Sequence, residues 1–233
     1  MKDLFGKAIL DFQTNNAPEN LVTETNISEA DEMSVKYLFR NYNEMPKIEK
    51  KALLLCKGKV LDVGCGVGSH ALYLQEKGFD VTAIDISPNA IIACELRGLK
   101  NAQVLNILEL ENEKFDTILL LMNGTGIFGT LGETSKYLQK LKSLLTTNGQ
   151  ILMDSSDIIY MFDKNDDGSY VVPAEGYYGE LTFTISYKGE TEQAFPWLYL
   201  DYNTLQNAAH ANGLQCKLTI EGDHFDFLAR LTL

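Results

Sequence analysis

The sequence predicts an α/β fold: a seven-stranded, mostly parallel sheet with helices on both faces, an antiparallel last strand, and a small antiparallel β cap inserted after strand five. Three observations predict it. Between residues 59 and 154, short apolar runs alternate with helix-like runs, the rhythm of a parallel sheet whose crossovers are helices. One of those runs, "DTILLL", is apolar without interruption, as a strand covered on both faces must be. Finally, "LQCKLTI" and "HFDFLARLTL" are separated only by Glu221-Gly222-Asp223. A parallel connection needs about a dozen residues, so this closing pair is antiparallel.

The elements follow in order. Residues 1–27 are mixed and polar, and "TNNAPEN" reads as a loop. Ser28, with Asp31 and Glu32 in the turn behind it, resembles a helix N-terminus, which predicts a helix carrying Met33, Val35, Tyr37, Leu38 and Phe39. Pro46 opens a second helix that runs to about Leu55. "KVLDV" is the first parallel strand; glycines, a helix over Ala71–Lys77 and the strand "DVTAID" follow. Ser87 at N-cap and Pro88 at N1 start the next helix. "QVLN" and "DTILLL" are strands three and four. Thr134–Leu145 is amphipathic, with Tyr137, Leu138, Leu141, Leu144 and Leu145 on one stripe, and "GQILMD" is strand five. Residues 155–200 break the rhythm with turn signals at Asp166-Asp167-Gly168 and Lys188-Gly189 and the alternating run "LTFTISY", which predicts an inserted hairpin. A last helix spans about Asn203–Ala211. This organisation gives an N-terminal helical cap or lid, residues 1–46, and a main domain, residues 47–233, with its β insert at about 155–200.

Composition narrows the function. The chain has 233 residues, 45% of them hydrophobic and 22% charged, an ordinary globular balance for one domain with an added cap. The net charge of −12 speaks against nucleic acid and against docking on anionic lipid, both of which need clustered Lys and Arg. Apolar runs such as Thr117–Met122 are too short to span a bilayer, and the N-terminus lacks the cleavage pattern of a signal peptide. Cys56, Cys65, Cys94 and Cys216 form no C-x-x-C pair, so free thiols, a cytoplasmic location and no metal site are expected. A monomer or homodimer acting on a small molecule is the expected state. The acidic run Glu109–Glu113 reads as a solvated loop.

The stretch "KVLDVGCGVGSH" carries the chemistry. It places Gly64, Gly66 and Gly68 between a strand and a helix, where backbone can approach a ligand closely. Asp85 ends the next strand, 21 positions after Gly64, where a carboxylate accepts from a ribose diol. Dinucleotide enzymes share that device, so Asp85 alone does not discriminate. Asp62 does. A carboxylate at the strand tip would repel a pyrophosphate by ~1–4 kcal/mol and attract an ammonium or sulfonium instead. The third glycine position of the dinucleotide motif is Ser69. S-adenosyl-L-methionine carries both cationic groups and a ribose, and its carboxylate suits a helix N-terminus.

"VLDVGCGVGSHALYLQEKGFDVTAIDISPNAI" resembles motif I and the acidic second-strand motif of class I, Rossmann-like, S-adenosylmethionine-dependent methyltransferases. The resemblance extends from about Lys47 to Leu233, through "KFDTILLLMN" and "LLTTNGQILMD", where Asn148-Gly149 stands in place of the family's usual proline-glycine pair. It implies that Asp62, Gly64, Cys65, Gly66 and Gly68 surround the methionine portion. Asp85 holds the ribose, Ile86 packs on the adenine, and Asn106 and Ile107 flank its amino edge, with Asn106 where the family often has Asp. Met122 flanks the sulfonium. Tyr37 and Arg40, on one face of the preceding helix, cover the methionine end, Arg40 meeting the carboxylate.

The transfer needs a base only if the nucleophile must lose a proton. Candidate catalytic residues are His70, Tyr37, Tyr160 and His224, with Asp157 beside them. Asp154 ends strand five and caps a turn or faces the ligand. His210 reads as a helix-face residue. No Asn/Asp-Pro-Pro-aromatic motif follows strand four, where Asn123 precedes Gly124-Thr125-Gly126, which disfavours DNA as substrate. The aromatic insert, with Tyr160, Tyr170, Tyr177, Tyr178 and Trp197, suits a small, partly apolar acceptor methylated at oxygen or nitrogen. Three alternatives stay open: a protein substrate, a cofactor-binding protein without activity, and a nicotinamide oxidoreductase.

Overall fold

The computed structural model describes residues 2–233. In chain order its elements are α1 (Leu4–Thr14), β1 (Leu21–Thr25), β2 (Ser28–Met33), α2 (Val35–Leu38), α3 (Lys47–Leu55), β3 (Val60–Val63), α4 (Ser69–Glu76), β4 (Val81–Asp85), α5 (Pro88–Leu96), β5 (Ala102–Val104), β6 (Phe115–Leu120), α6 (Thr134–Ser143), β7 (Leu145–Ser156), β8 (Glu180–Tyr187), β9 (Glu190–Thr191), β10 (Phe195–Leu198), α7 (Tyr202–Ala211), β11 (Gln215–Glu221) and β12 (Asp226–Thr232).

The main sheet has seven strands in the order β11-β12-β7-β6-β3-β4-β5. The pairs β3–β4, β3–β6, β4–β5 and β6–β7 are parallel, and β12 is antiparallel to both β7 and β11. The expected sheet and its reversed closing strand are therefore present. The reversal has a positional consequence. Asp226 at the start of β12 pairs with Ser156 at the end of β7. The β11–β12 turn thus shares an edge with the carboxyl ends of the parallel strands.

Continuous apolar sequence is explained by two covered faces. Along β6, Ile118 and Leu120 pack with Leu138 and Leu141 on one side, whereas Leu119 packs with Ala52 and Leu74 on the other. Each such fully buried side chain contributes about 2 kcal/mol. The Ser87 hydroxyl caps α5 by accepting from the Ala90 N–H at 3.0 Å, with Pro88 following, as the sequence predicts.

A second, antiparallel sheet runs β10-β8-β1-β2, with β9 on β8. It corrects the N-terminal prediction. Ser28–Met33 is a strand, not the start of a helix, so residues 1–46 are not a helical cap. The acidic residues behind Ser28 are a local signal only. The hairpin Leu21–Met33 lies against the insert, with Val22 opposite Ser186, and that distant pairing overrides local propensity. The helix starts later, at Val35, and carries Tyr37 and Leu38. α1 also stands where only polar loop was expected. It is capped by the Asp3 carboxylate, which accepts from Gly6 N–H, and buries Leu4, Ala8 and Ile9 between the second sheet and α5. The predicted insert is present as β8–β10. Its Trp197 ring occupies the space beside Gly126, where a Cβ would lie 2.0 Å from the indole, and so ties the insert to the loop after β6.

Candidate active site

The loop after β3 turns on glycines. Gly64, Gly66 and Gly68 have φ of 68°, 53° and 72°, conformations that favour glycine. The Gly64 and Cys65 N–H groups both donate to the Ile84 carbonyl, at 2.9 and 3.1 Å, which staples the loop to β4. A Cβ added at Gly66 would meet no heavy atom within 4 Å, so backbone is open to approach there. Cys65 is buried, with its Sγ 4.0 Å from that of Cys94. The contact with Cys94, then burial, holds the Cys65 thiol well above its ordinary range, which suits a packing role and not a nucleophile.

Two carboxylates frame this loop. Asp85 Oδ2 accepts from the Gly66 N–H and Oδ1 from the Ser87 N–H, each at 2.9 Å. Burial raises its carboxyl, and those N–H groups pull it back part of the way. Asp62 is 2% exposed, and its Oδ2 has no hydrogen-bond partner. Burial pushes this carboxyl up to about 6, opposed by the neighbouring His70 and reinforced by Asp85. A buried, unpartnered carboxylate is costly in isolation and is stabilised by a cation. An orphaned carboxylate below an open glycine turn, with a second carboxylate at the next strand tip, fits the ammonium and ribose of S-adenosylmethionine.

Beneath the loop lies a buried ion network. Glu49 of α3 accepts from Arg40 Nη2 on one oxygen and faces His70 Nε2 at 2.8 Å with the other. Arg40 Nη1 also donates to the Tyr37 carbonyl at 2.7 Å, and its guanidinium lies 4.1 Å from the Tyr37 ring centroid. Burial raises the Glu49 carboxyl, but its bonds to His70 and Arg40 more than offset this and hold it below its usual value. Arg40, read from sequence as meeting the cofactor carboxylate, is thus engaged by Glu49. His70 is buried, not on the helix surface. Sequence reasoning missed Glu49. Its signal was an acid on the apolar stripe of α3, on one face with Ala52 and Leu53.

Asp154, near the end of β7, holds the turn after β6. Its oxygens accept from the Met122 N–H at 3.0 Å and the Gly124 N–H at 2.9 Å. Burial pushes the carboxyl up to about 7; the two N–H groups lower it and the Glu49 charge raises it. Met122 and Asn123 have φ of 66° and 63°. Left-handed backbone at two successive non-glycine residues costs about 1–2 kcal/mol each, so this turn is strained and fixed at the carboxyl edge.

A methyltransferase-domain family model matches residues 56–192. The chain belongs to the S-adenosylmethionine-dependent methyltransferase family. It is 44% identical to an S-adenosylmethionine-dependent methyltransferase from Bacteroides fragilis solved in complex with S-adenosyl-L-homocysteine, with a TM-score of 0.92 over 100% of this chain and 95% of that one. The sugar N-methyltransferase KedS8 of Streptoalloteichus shares the fold at 15% identity, with a TM-score of 0.60 over 88% of this chain and 94% of its own. The ubiquinone biosynthesis O-methyltransferase of Rickettsia prowazekii is 33% identical over 96 residues, 39% of this chain and 34% of its own length. The chain spans about half, or less, of the length of the curated relatives it matches.

The other predicted residues of this methyltransferase fold fall into two groups. Ile86 is 57% exposed beside Asp85, and Met122 is partly exposed beside the strained turn. Asn106 Oδ1 accepts from the Leu108 N–H at 3.0 Å, capping a short turn that buries Ile107. These line the edge above β3, β4 and β6. The second group sits farther along the edge, over β7 and β12. Tyr160 is exposed and stacks on Phe225, centroids 4.9 Å apart, and His224 is exposed in the β11–β12 turn. Tyr37, half exposed, stands above Arg40 at the other side. No helix among the described residues is long and apolar enough to cross a membrane.

Proposed function

We propose that this chain transfers the methyl group of S-adenosylmethionine to an oxygen or nitrogen of a small-molecule acceptor, and that Asp62, the glycine turn and Asp85 hold the cofactor. The observation that carries this reading is Asp62, buried without a partner for Oδ2 below the open backbone of Gly66. When bound, the cofactor supplies a methyl group already activated on a sulfonium. Asp62 attracts the ammonium. Asp85, oriented by Gly66 and Ser87, accepts from the ribose hydroxyls. Ile86 offers an apolar face to the adenine, with Asn106 and Ile107 beyond it. Met122 borders the reacting end, set there by Asp154.

The chain's remaining work is to position the acceptor and exclude water. The cap for this is composite: the β1–β2 hairpin and the β8–β10 insert form one sheet. Glu49 fixes Arg40 and His70 under the methionine end, and Tyr37, Tyr160 and His224 remain the groups placed to touch an acceptor. Relatives named for ubiquinone and sugar methylation support a small molecule of either nucleophile type. Calorimetry with S-adenosylhomocysteine tests the cofactor half, and absence of binding overturns it. A scan of cell extract for acceptors of labelled methyl tests the other half; label on protein alone overturns the small-molecule acceptor.

A further inference from the structure

Resting on the methyltransferase reading, we propose that the acceptor carries a protonated amine, bound by an aromatic and carboxylate subsite around Asp157. Asp157 follows β7 at the carboxyl edge of the sheet, two residues after Ser155, whose hydroxyl lies 3.4 Å from Asn123 Oδ1 in the strained turn. The subsite therefore adjoins the reacting end of the cofactor site.

Its walls are aromatic. Tyr160 and Phe225 stack at 4.9 Å while remaining 49% and 60% exposed, an arrangement that displays ring faces. Phe162 meets Tyr178 edge-on at 6.0 Å. Two of these residues, Phe225 and Tyr178, are tied directly to Asp157. Its N–H donates to the Phe225 carbonyl at 2.9 Å, and its Oδ1 accepts from the Tyr178 hydroxyl at 2.8 Å and from the Ile159 N–H at 3.0 Å. Both side-chain bonds fall on Oδ1, which leaves Oδ2 able to accept. Phe225 is held at φ 60°, and strain of this kind gathers at ligand clamps.

Charge selects the ligand. Ring faces and a carboxylate together attract a cation; a ring face alone contributes about 0.5–2 kcal/mol. The basic side chains on this side are engaged elsewhere, Arg40 by Glu49, Lys47 by Asp223 at 2.6 Å and Lys164 over the Tyr170 ring, and the His224 imidazole, next to Phe225, is the one titratable base at the subsite among the described residues. Asp201, which accepts from the Tyr177 hydroxyl at 2.7 Å, adds acidic character. An anionic acceptor would face the Asp157 carboxylate, whereas an ammonium gains from that carboxylate and from the exposed ring faces.

The test is calorimetry on the full chain loaded with S-adenosylhomocysteine, using benzylamine, benzyl alcohol and benzoate as probes of similar size and different charge. Benzylamine is expected to bind about ten-fold or more tightly than either other probe, an interval of about 1.4 kcal/mol. That preference is expected to vanish in Tyr160→Ala and Asp157→Asn and to persist in Tyr160→Phe, with variants compared at equal S-adenosylhomocysteine occupancy. Equal binding of the three probes, preference for benzoate, or an unchanged preference in Tyr160→Ala overturns the subsite. Failure of S-adenosylhomocysteine to bind the unaltered chain overturns the function itself, so the two failures are distinguishable.

Discussion

His70 and Glu49 meet at 2.8 Å with both side chains out of water, and Arg40 closes on the other oxygen of the same carboxylate. One acid therefore satisfies two partners, His70 in α4 and Arg40 in the segment after α2, and it does so from a third element, α3. Removing one member of a buried ion group leaves the others uncompensated, at a cost of about 3–5 kcal/mol. Glu49→Ala should lower unfolding free energy by about that much, and Glu49→Gln by less, in urea titrations followed by tryptophan fluorescence. Unchanged stability in Glu49→Ala would mean the network is not formed.

Asp62 gives a pH prediction of the opposite kind. Its folded carboxyl, pushed up to about 6, keeps a proton that the unfolded chain releases near 3.8. The folded state thus binds more protons in that window, and Asp62 makes stability fall as pH rises from about 4 to about 6. Above that window the full penalty, on the order of 3 kcal/mol, is present. Without cofactor, Asp62→Asn should melt higher than the parent above pH 6 and equal to it near pH 4. The same variant should bind S-adenosylmethionine more weakly. A stabilised variant with undiminished affinity would remove Asp62 from the cofactor site.

Asp85 is bonded to the loop and proposed to bond the ribose. Asp85→Ala should weaken S-adenosylhomocysteine binding by about 100-fold, the loss of two hydrogen bonds to a charged acceptor at about 1.5 kcal/mol each. Calorimetry reads the affinity directly. A loss under three-fold would leave the ribose unassigned.

Two glycines separate ligand space from packing space. Gly66→Ala adds a methyl where nothing lies within 4 Å, so stability should drop by only about 1–2 kcal/mol from the left-handed backbone, while cofactor binding is lost. Gly68→Ala brings a methyl to 3.0 Å from Cys94 Sγ and 3.1 Å from Leu99 Cδ2. It should cost clearly more stability than Gly66→Ala. Thermal melts paired with binding isotherms check the split, and a reversed order would misplace the open face of the turn.

The main sheet was readable because its strands are short apolar runs fixed by local rhythm, and the three-residue gap at Glu221–Asp223 dictates the final hairpin. Asp62 and Asp85 were readable for a related reason: each stands at a strand tip, a position that strand prediction defines. Ser28–Met33 was misread because its hairpin with β1 is held in a sheet by β8, which pairs with β1 from far along the chain, and no local window contains that strand. Glu49 was missed as a site residue because its meaning comes from Arg40, in the segment after α2, and His70, in α4, which reach it from separate parts of the chain. Asp154 was seen at the correct edge, but its grip on the Met122 and Gly124 N–H groups depends on a neighbouring strand.

The roof sheet also sets an order of assembly. Val22 pairs with Ser186, 164 positions later in the chain, whereas β3, β4, β5 and β6 all fall between Val60 and Leu120. A chain emerging from the ribosome exposes the β1–β2 hairpin long before β8 exists to cover it, and a lone two-stranded hairpin is marginal in water. Closing that long loop is slow relative to the compact pairings of the floor. A hairpin synthesised before the main sheet is thus among the last elements to settle, and a nascent chain has the parallel strands well before it has the β8 that pairs with β1.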